Sequence, residues 1–291
     1  MQAVTFALTA GLEILAGVSS LILIALGLAI VFGMMRVINL AHGEFLMLGA
    51  YTAIMAVKHG VNFYVAILVV APVVVGLLGL VVERLVVRHL YGRIIDTMLA
   101  TWGLSLLFVG LVTTFFGNTT TGISSPIGAV TLGSANVSGY KFFIIGVSIV
   151  TVLLLVLLFK KTEFGLIARA TMQNPDMAAA VGVDPKRTYA ITFGLGAALA
   201  GLAGGVMAPI TGVLPSIGTS FVAKAFITVI GGGASVVAGT LTASSLFGTV
   251  NQVASFLTTP VFGEVAMLLA AVILVRLMPK GITGRLFRGS I

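Results

Sequence analysis

The sequence contains no cysteine and few charged residues: Asp, Glu, Lys and Arg make up 8% of its 291 residues. A soluble domain carries about a quarter. Without cysteine there is no disulfide, thiolate metal site or cysteine nucleophile. The sequence also lacks a P-loop motif for binding ATP, and no Ser, His and Asp set has a plausible common location. These absences exclude a soluble enzyme and a disordered chain.

Apolar residues dominate instead: 59% of the chain is hydrophobic and the mean hydropathy is +1.20. At about 20 apolar residues per membrane crossing, this predicts an all-α polytopic membrane protein with about eight to nine transmembrane segments. We expect a single membrane domain over residues 1–291. The predicted segments are 12–33, 37–57, 63–82, 98–116, 141–159, 189–210, a short 220–233, 237–257 and 262–277.

The net charge of +8 comes from a few short basic stretches, so it favours cytoplasmic loops over nucleic-acid binding. Basic residues concentrate in 83–97, in 160–188 and in the C-terminal tail with Arg276, Lys280, Arg285 and Arg288. Segments 117–140 and 211–219 hold no charge. The bias predicts an external N-terminus and a cytoplasmic C-terminus. Seven crossings, with 220–233 as a re-entrant half-helix and one neighbour not crossing, would preserve this orientation.

The N-terminus and the segment Glu83–Arg93 give two further expectations about the membrane. Residues 1–6 lack the basic start of a cleaved signal peptide, so we expect the first span to be retained. Glu83–Arg93 is expected to lie along the cytoplasmic membrane surface, with its arginines reaching lipid phosphates.

Polar residues interrupt the apolar pattern at Asn39, His42 and Glu44. A charge at mid-bilayer is costly, so these groups should face a cavity or a protein partner. They predict a broken helix beside a solute path. The alternative is that they cap the broken helix and bond to neighbouring spans. His42 and Glu44 are two residues apart and point in different directions on a helix, which argues against a shared metal site.

Three consecutive glycines, Gly231, Gly232 and Gly233, end a short apolar helix. Another helix can begin after Ala234-Ser235. Half-helices that meet at irregular backbone are a feature of transporters. The alternative is close packing of small residues between helices, and the two readings are compatible.

The loop 160–188 contains a short helix with clear boundaries. Asn174-Pro175-Asp176 is a helix start, and Gly182 is a stop. Asp184-Pro185 begins the next helix in the same way. Met177, Ala180 and Val181 share one face. A helix this short is unstable alone, so it should pack either on a cytoplasmic partner or on the protein's own loops.

Taken together, several runs of residues match a known pattern. They are Val37–Phe45, Leu48–Tyr51, Lys161–Leu166, Arg169-Ala170, Gln173–Gly182, Thr192–Gly194, Gly231–Gly233 and Met278–Gly281. In these runs the chain resembles bacterial ABC importer permeases for branched-chain amino acids and their relatives. Leu90–Arg93, Asp96-Thr97 and Leu99–Leu106 resemble the urea, or short-chain amide, branch more closely. The ending Met278–Ile282 is closer to the amino-acid permeases.

The resemblance implies a transport subunit in the bacterial inner membrane that is not itself an enzyme and has no cofactor. It implies a second permease subunit as heterodimer partner, two cytoplasmic ABC ATPase subunits, a periplasmic solute-binding protein and contact with membrane lipid. The helix 174–182 would be the coupling helix, seated in an ATPase groove. The solute would be urea or a short amide, or alternatively a branched-chain amino acid.

Polar side chains could line the path for such a solute. The candidates are Thr101, Ser105, Asn251 and Gln252, for which bonding between helices is the alternative. Two other functions were weighed: a carrier or channel that works alone, and an intramembrane enzyme. The few carboxylates inside the spans speak against a proton-coupled carrier. An enzyme would need a nucleophile or metal set in the spans, and the sequence offers none.

Overall fold

The computed structural model describes residues 2–132, 135–233 and 235–286. Ala234 and Arg288, named above, lie outside the described residues, as does the side chain of Arg285. The described chain is predominantly helical. Its helices are α1 (Gln2–Met35), α2 (His42–Lys58), α3 (Phe63–Val65), α4 (Ala71–Leu85), α5 (Ile94–Phe116), α6 (Tyr140–Lys161), α7 (Glu163–Gln173), α8 (Pro175–Ala180), α9 (Pro185–Met207), α10 (Ile217–Gly232), α11 (Val236–Leu257), α12 (Pro260–Leu277) and α13 (Gly281–Leu286).

Each predicted membrane segment coincides with a helix, which confirms an all-α polytopic membrane protein. A π-helical stretch, Ala66–Val70, joins α3 to α4, so the two form one span, Phe63–Leu85. A 3₁₀ turn, Val87–Leu90, follows it.

The number of crossings in the described chain is lower than the predicted eight to nine. Six helices are long and apolar enough to cross a membrane. The pair α10 and α11 is bent by 113° at its break and adds a seventh if the pair counts as one span. Helix α2, with 17 residues, is short for a crossing. The six or seven candidate spans of the described chain are not the same set as the seven-crossing alternative, because that alternative keeps 37–57 as a crossing and the candidates omit α2.

Helix α9 lies at the centre of the bundle because small residues let its neighbours approach closely. Added methyl groups at Gly194 and Gly201 would meet Leu80 and the Ala71 carbonyl oxygen of α4. One at Gly204 would overlap the Leu46 carbonyl oxygen of α2. Without a hydrophobic driving force between helices in lipid, such close backbone contact is a main source of association.

A β-hairpin in the uncharged segment after α5 was not predicted from the sequence. Strand β1 (Ala129–Leu132) pairs antiparallel with β2 (Ala135–Ser138), and Ala129 lies opposite Ser138. Nearby, Thr121 and Val213 exchange two backbone hydrogen bonds of 2.9 and 2.8 Å. These contacts hold the segments after α5 and α9 together.

Candidate functional site

Residues 36–41 are not helical and separate α1 from α2, where the sequence predicted a broken helix. Arg36 adopts a positive φ of 53°, an uncommon conformation for a residue other than glycine. Asn39 is buried, and its Oδ1 accepts a hydrogen bond of 3.1 Å from the Ala41 backbone N–H. Asn39 therefore stabilises the turn that leads into α2 but does not cap the helix, whose N-cap residue is Ala41.

His42 begins α2 deep inside the bundle. It is buried, and its Nε2 lies 3.0 Å from the Ile24 carbonyl oxygen of α1. Ile24 precedes the end of α1 at Met35 by three turns of helix, so the chain doubles back after α1 before α2 begins. This placement explains why α2 is short, and it puts α2's first turn well within the molecule.

Glu44 lies where the N-termini of two helices meet. Gly43 at the start of α2 packs on the backbone of Gly218 at the start of α10. The two helices are so close here that a side chain at either glycine would collide with the backbone of the other helix. The Glu44 carboxylate is 1% exposed, and Oε2 has no hydrogen-bond partner among the described residues. Two helix N-termini place positive partial charge beside this carboxylate, which offsets part of its burial cost. His42 and Glu44 diverge, as expected from their spacing.

Thr101 and Ser105 lie on the face of α5 that is turned towards this break. The Thr101 hydroxyl accepts a hydrogen bond of 3.1 Å from the Leu40 N–H. It also lies within donor distance of the Ile38 carbonyl oxygen, at 3.3 Å. Ser105 is within interaction range of Glu44. Both side chains are buried in this conformation, which favours bonding between elements; their place on a solute path stays a prediction.

Helix α10 ends at the predicted glycines. Gly233 has a φ of +84° and follows the last helical residue, Gly232. The Thr283 hydroxyl of α13 donates to the Gly232 carbonyl oxygen at 2.6 Å and accepts from the Ser235 N–H at 3.2 Å. Gly232 also packs directly on Gly239. The broken helix and the small-residue contact therefore both occur.

The short helix of loop 160–188 has the predicted caps. Asn174 Oδ1 accepts from the Met177 N–H at 3.0 Å, and Pro175 is the first residue of α8. Gly182 has a φ of +91° just after the helix. Asp184 then caps α9 through the backbone N–H groups of Lys186 and Arg187.

The apolar face of α8 is largely exposed in the described chain. Met177 is 64% exposed and Val181 76%, while Ala178 is buried on the other side. Ala180 and Asp176 are exposed as well. The helix is thus attached through Ala178 and presents Met177, Ala180 and Val181 outward. This geometry disfavours the alternative in which that face packs on the protein's own loops.

Two ion pairs and one hydrogen bond to a buried carboxylate were missed by sequence reasoning. Lys224 of α10 and Glu264 of α12 form an ion pair of 2.6 Å, and Lys141 of α6 pairs with Glu13 of α1. The Tyr91 hydroxyl donates to the buried Glu83 carboxylate at the end of α4. Burial and this carboxylate raise the pKa of Tyr91, so it remains a donor at physiological pH. Glu83 therefore lies inside the protein and not on the membrane surface.

Of the remaining candidates, the Gln252 side chain packs against Gly17 of α1. Asn251 approaches Gly263 of α12 through its backbone carbonyl oxygen. Within the described ranges, no three His, Asp or Glu residues are placed to hold a metal ion.

Comparison with known proteins agrees with this architecture. A family model described as the permease component of the branched-chain amino acid transport system matches residues 11–278. A protein named as a high-affinity branched-chain amino acid transport permease, BraD of Pseudomonas aeruginosa, is 30% identical, and the match covers 92% of each chain. A probable branched-chain amino acid permease, LivH of Methanocaldococcus jannaschii, is 28% identical over 91% of this chain and 88% of its own. The Escherichia coli LivH permease is 27% identical over 92% of each.

The fold also resembles a chain in a solved structure described as PsaBC from Streptococcus pneumoniae in complex with Fab. The TM-score is 0.51 at 15% identity, over 91% of this chain and 89% of the other. The named relatives give no support to the resemblance with the urea branch. They and the family model together show that this chain belongs to the family of branched-chain amino acid transport system permease components.

Proposed function

We propose that this chain is the membrane-spanning subunit of an ATP-driven importer of branched-chain amino acids. The observation that carries the proposal is the family match over residues 11–278. The proposal replaces urea or short amides as the preferred solute, because the named relatives are branched-chain amino acid permeases.

The position of the urea-like stretch in the fold explains why it is a poor guide to the solute. Within Leu90–Leu106, the Thr97 hydroxyl lies 3.0 Å from the Leu90 carbonyl oxygen and 2.8 Å from that of Arg93. Thr101 holds the broken segment at Leu40. These residues are needed to shape the start of α5 and its contact with residues 36–41, whatever solute is carried.

Energy for uptake would come from separate ATPase subunits. The chain has no P-loop, and α8 presents an exposed apolar face between two capped turns. Two ATPase subunits would receive α8 and its counterpart on a second, homologous permease subunit. Closure of the ATPases on ATP would pull on these helices and shift the pair between inward-open and outward-open states.

The solute would arrive from a periplasmic binding protein, and the complex would lie in the bacterial inner membrane with the N-terminus outside. Because the binding protein selects the solute, the path through the membrane need not bind it tightly. Asn39, His42, Glu44, Thr101, Ser105 and Gly231–Gly233 remain the proposed lining of that path. Their burial in this conformation requires that the path open elsewhere in the cycle.

The test is uptake of labelled leucine and labelled urea by cells with and without this gene. Both labels are supplied at low micromolar concentration, with urease activity and nitrogen status held equal. We expect deletion to abolish leucine uptake and leave urea uptake unchanged, and the restored gene to recover it. Loss of urea uptake alone would contradict the proposed solute and return the chain to the urea branch.

A further inference from the structure

A cleft of about 600 Å³ opens between the end of α4 and the start of α9. The two helices come from separate basic segments of the sequence, 83–97 and 160–188. Their charged residues line the same cleft, so the two segments lie at one end of the molecule. None of the functions proposed above uses this cleft.

Four cations line the cleft. Arg84 and Arg88 come from α4 and the following turn, and Lys186 and Arg187 come from the first turn of α9. All four residues are exposed. In the part of the chain that the structure describes, none of them belongs to an ion pair. The cleft therefore presents unneutralised positive charge.

Two acids, Glu83 and Asp184, also line the cleft. Glu83 is buried and accepts the hydrogen bond from the Tyr91 hydroxyl. Asp184 accepts the backbone N–H groups of Lys186 and Arg187. Among the described residues neither acid forms an ion pair with a cation of the cleft, and four cations against two acids leave the lining with a net positive charge.

The other wall of the cleft is apolar. It consists of Leu80 and Val81 of α4 and of Ala190 and Ile191 of α9. These residues lie inside the membrane-span helices Phe63–Leu85 and Pro185–Met207, and Val81 and Ile191 are exposed. The apolar wall therefore continues the hydrocarbon-facing surface of the two helices. An occupant must carry negative charge at one end and hydrocarbon at the other.

We propose that this cleft is a binding site for an anionic phospholipid. The phosphate would lie among the four cations, and the part of the acyl chains nearest the headgroup would lie against the apolar wall. Basic pockets between membrane helices on the cytoplasmic side bind anionic headgroups by this combination. A soluble ATPase subunit fits less well, because it would have to reach positions inside the hydrocarbon layer. Lys186 and Arg187 lie in the first turn of α9, which the turn at residues 181–184 connects to α8, so the bound lipid would hold the start of α9 close to α8.

The experiment measures lipids retained by the purified full chain in its complex. Native mass spectrometry counts phosphatidylglycerol, phosphatidylethanolamine and phosphatidylcholine after extraction from a defined equimolar mixture. The test variant is Arg88→Gln with Arg187→Gln, which removes one cation from each helix. The matched control is Lys160→Gln with Lys161→Gln, which removes the same charge from the exposed end of α6. Thermal unfolding verifies that both variants fold.

We expect the wild type and the control to retain phosphatidylglycerol preferentially over the other two lipids. In the test variant this preference should be at least about tenfold lower, because two contacts to the phosphate are removed. Equal retention of phosphatidylglycerol by the test variant and the control would overturn the proposal. Equal retention of all three lipids by the wild type would overturn it as well. Displacement by millimolar inorganic phosphate would assign the cleft to a soluble anion. Loss of ATPase subunits from the test variant with unchanged lipid would assign it to a protein interface. Either result would refute the lipid site.

Discussion

At the residue scale, single threonine hydroxyl groups hold the broken helices together. Thr101 is fully buried, and its hydroxyl accepts the Leu40 N–H, which lies in a segment without helical hydrogen bonds. Thr283 serves the same purpose at the break between α10 and α11. An unpaired backbone group in a membrane interior costs several kcal/mol, so each break requires such a partner.

Replacing Thr101 with valine keeps the shape of the side chain and removes the acceptor for Leu40. We expect Thr101→Val to destabilise the protein by about 1–3 kcal/mol, the cost of a buried unsatisfied group. Thr113→Val is the control, because the Thr113 hydroxyl bonds only to Val109 of its own helix. Thermal unfolding in detergent compares the two. Equal loss of stability would mean that the bond to Leu40 is unimportant.

At the element scale, the proposed coupling role rests on the geometry of helix α8. Its N-cap, Asn174, and its stop at Gly182 are local, and its outward face is apolar and exposed. Six helical residues do not hold this shape in water alone, so the buried Ala178 and the caps must fix it before any partner arrives.

Placing charge on the outward face of α8 tests its coupling role. We expect Met177→Asp with Val181→Asp to lower leucine uptake by at least about tenfold, because a charged group at a buried interface anchor costs more than about 1.4 kcal/mol. Met177→Leu with Val181→Ile is the matched control and should retain uptake. Immunoblots of membranes measure the amount of each variant. Normal uptake by the aspartate variant would exclude α8 as the coupling helix.

At the scale of the whole molecule, charge and hydropathy give the membrane arrangement. The basic segments around Arg88 and Lys186 meet in one cleft, so they share one end of the bundle. The uncharged segments meet through the hydrogen bonds between Thr121 and Val213. The orientation of these ends relative to the cell stays a prediction from the positive-inside rule.

The absence of cysteine makes that orientation directly measurable. Thr119→Cys lies in the uncharged segment, and Glu163→Cys in the basic loop; both positions are exposed. We expect a membrane-impermeant thiol reagent to label Thr119→Cys in intact cells and Glu163→Cys only after permeabilisation. The unsubstituted chain is the background control. The reverse pattern would place the basic loop outside the cytoplasm and contradict the predicted orientation.

Features of the fold that depend on neighbouring residues could be predicted from the sequence, whereas contacts between distant residues could not. The start and stop of α8 and the break at Gly233 follow from residues within one turn, and all were predicted. The ion pair Lys224–Glu264 joins residues that are 40 apart in the sequence and lie on different helices, so no local pattern predicts it. The depth of His42 beside Ile24 likewise depends on the packing of α1, α2 and α9.

The solute illustrates a further reason for failure. Residues such as Thr97 and Thr101 gave the stretch before Leu106 its urea-like character, yet their hydrogen bonds maintain backbone shape. A short motif that maintains shape can be shared by permeases for different solutes. The polar lining proposed for the solute path stays a prediction, because Asn39, Glu44 and Thr101 are buried in this conformation.

ATP-driven accumulation of labelled leucine in proteoliposomes tests the central claim most directly. Vesicles would contain either this chain alone or the complex with its second permease and ATPase subunits, with binding protein supplied outside. We predict accumulation only for the complex and only with ATP in the compartment of the ATPases. Leucine entry through this chain alone, without ATP, would contradict the account and identify a stand-alone carrier or channel.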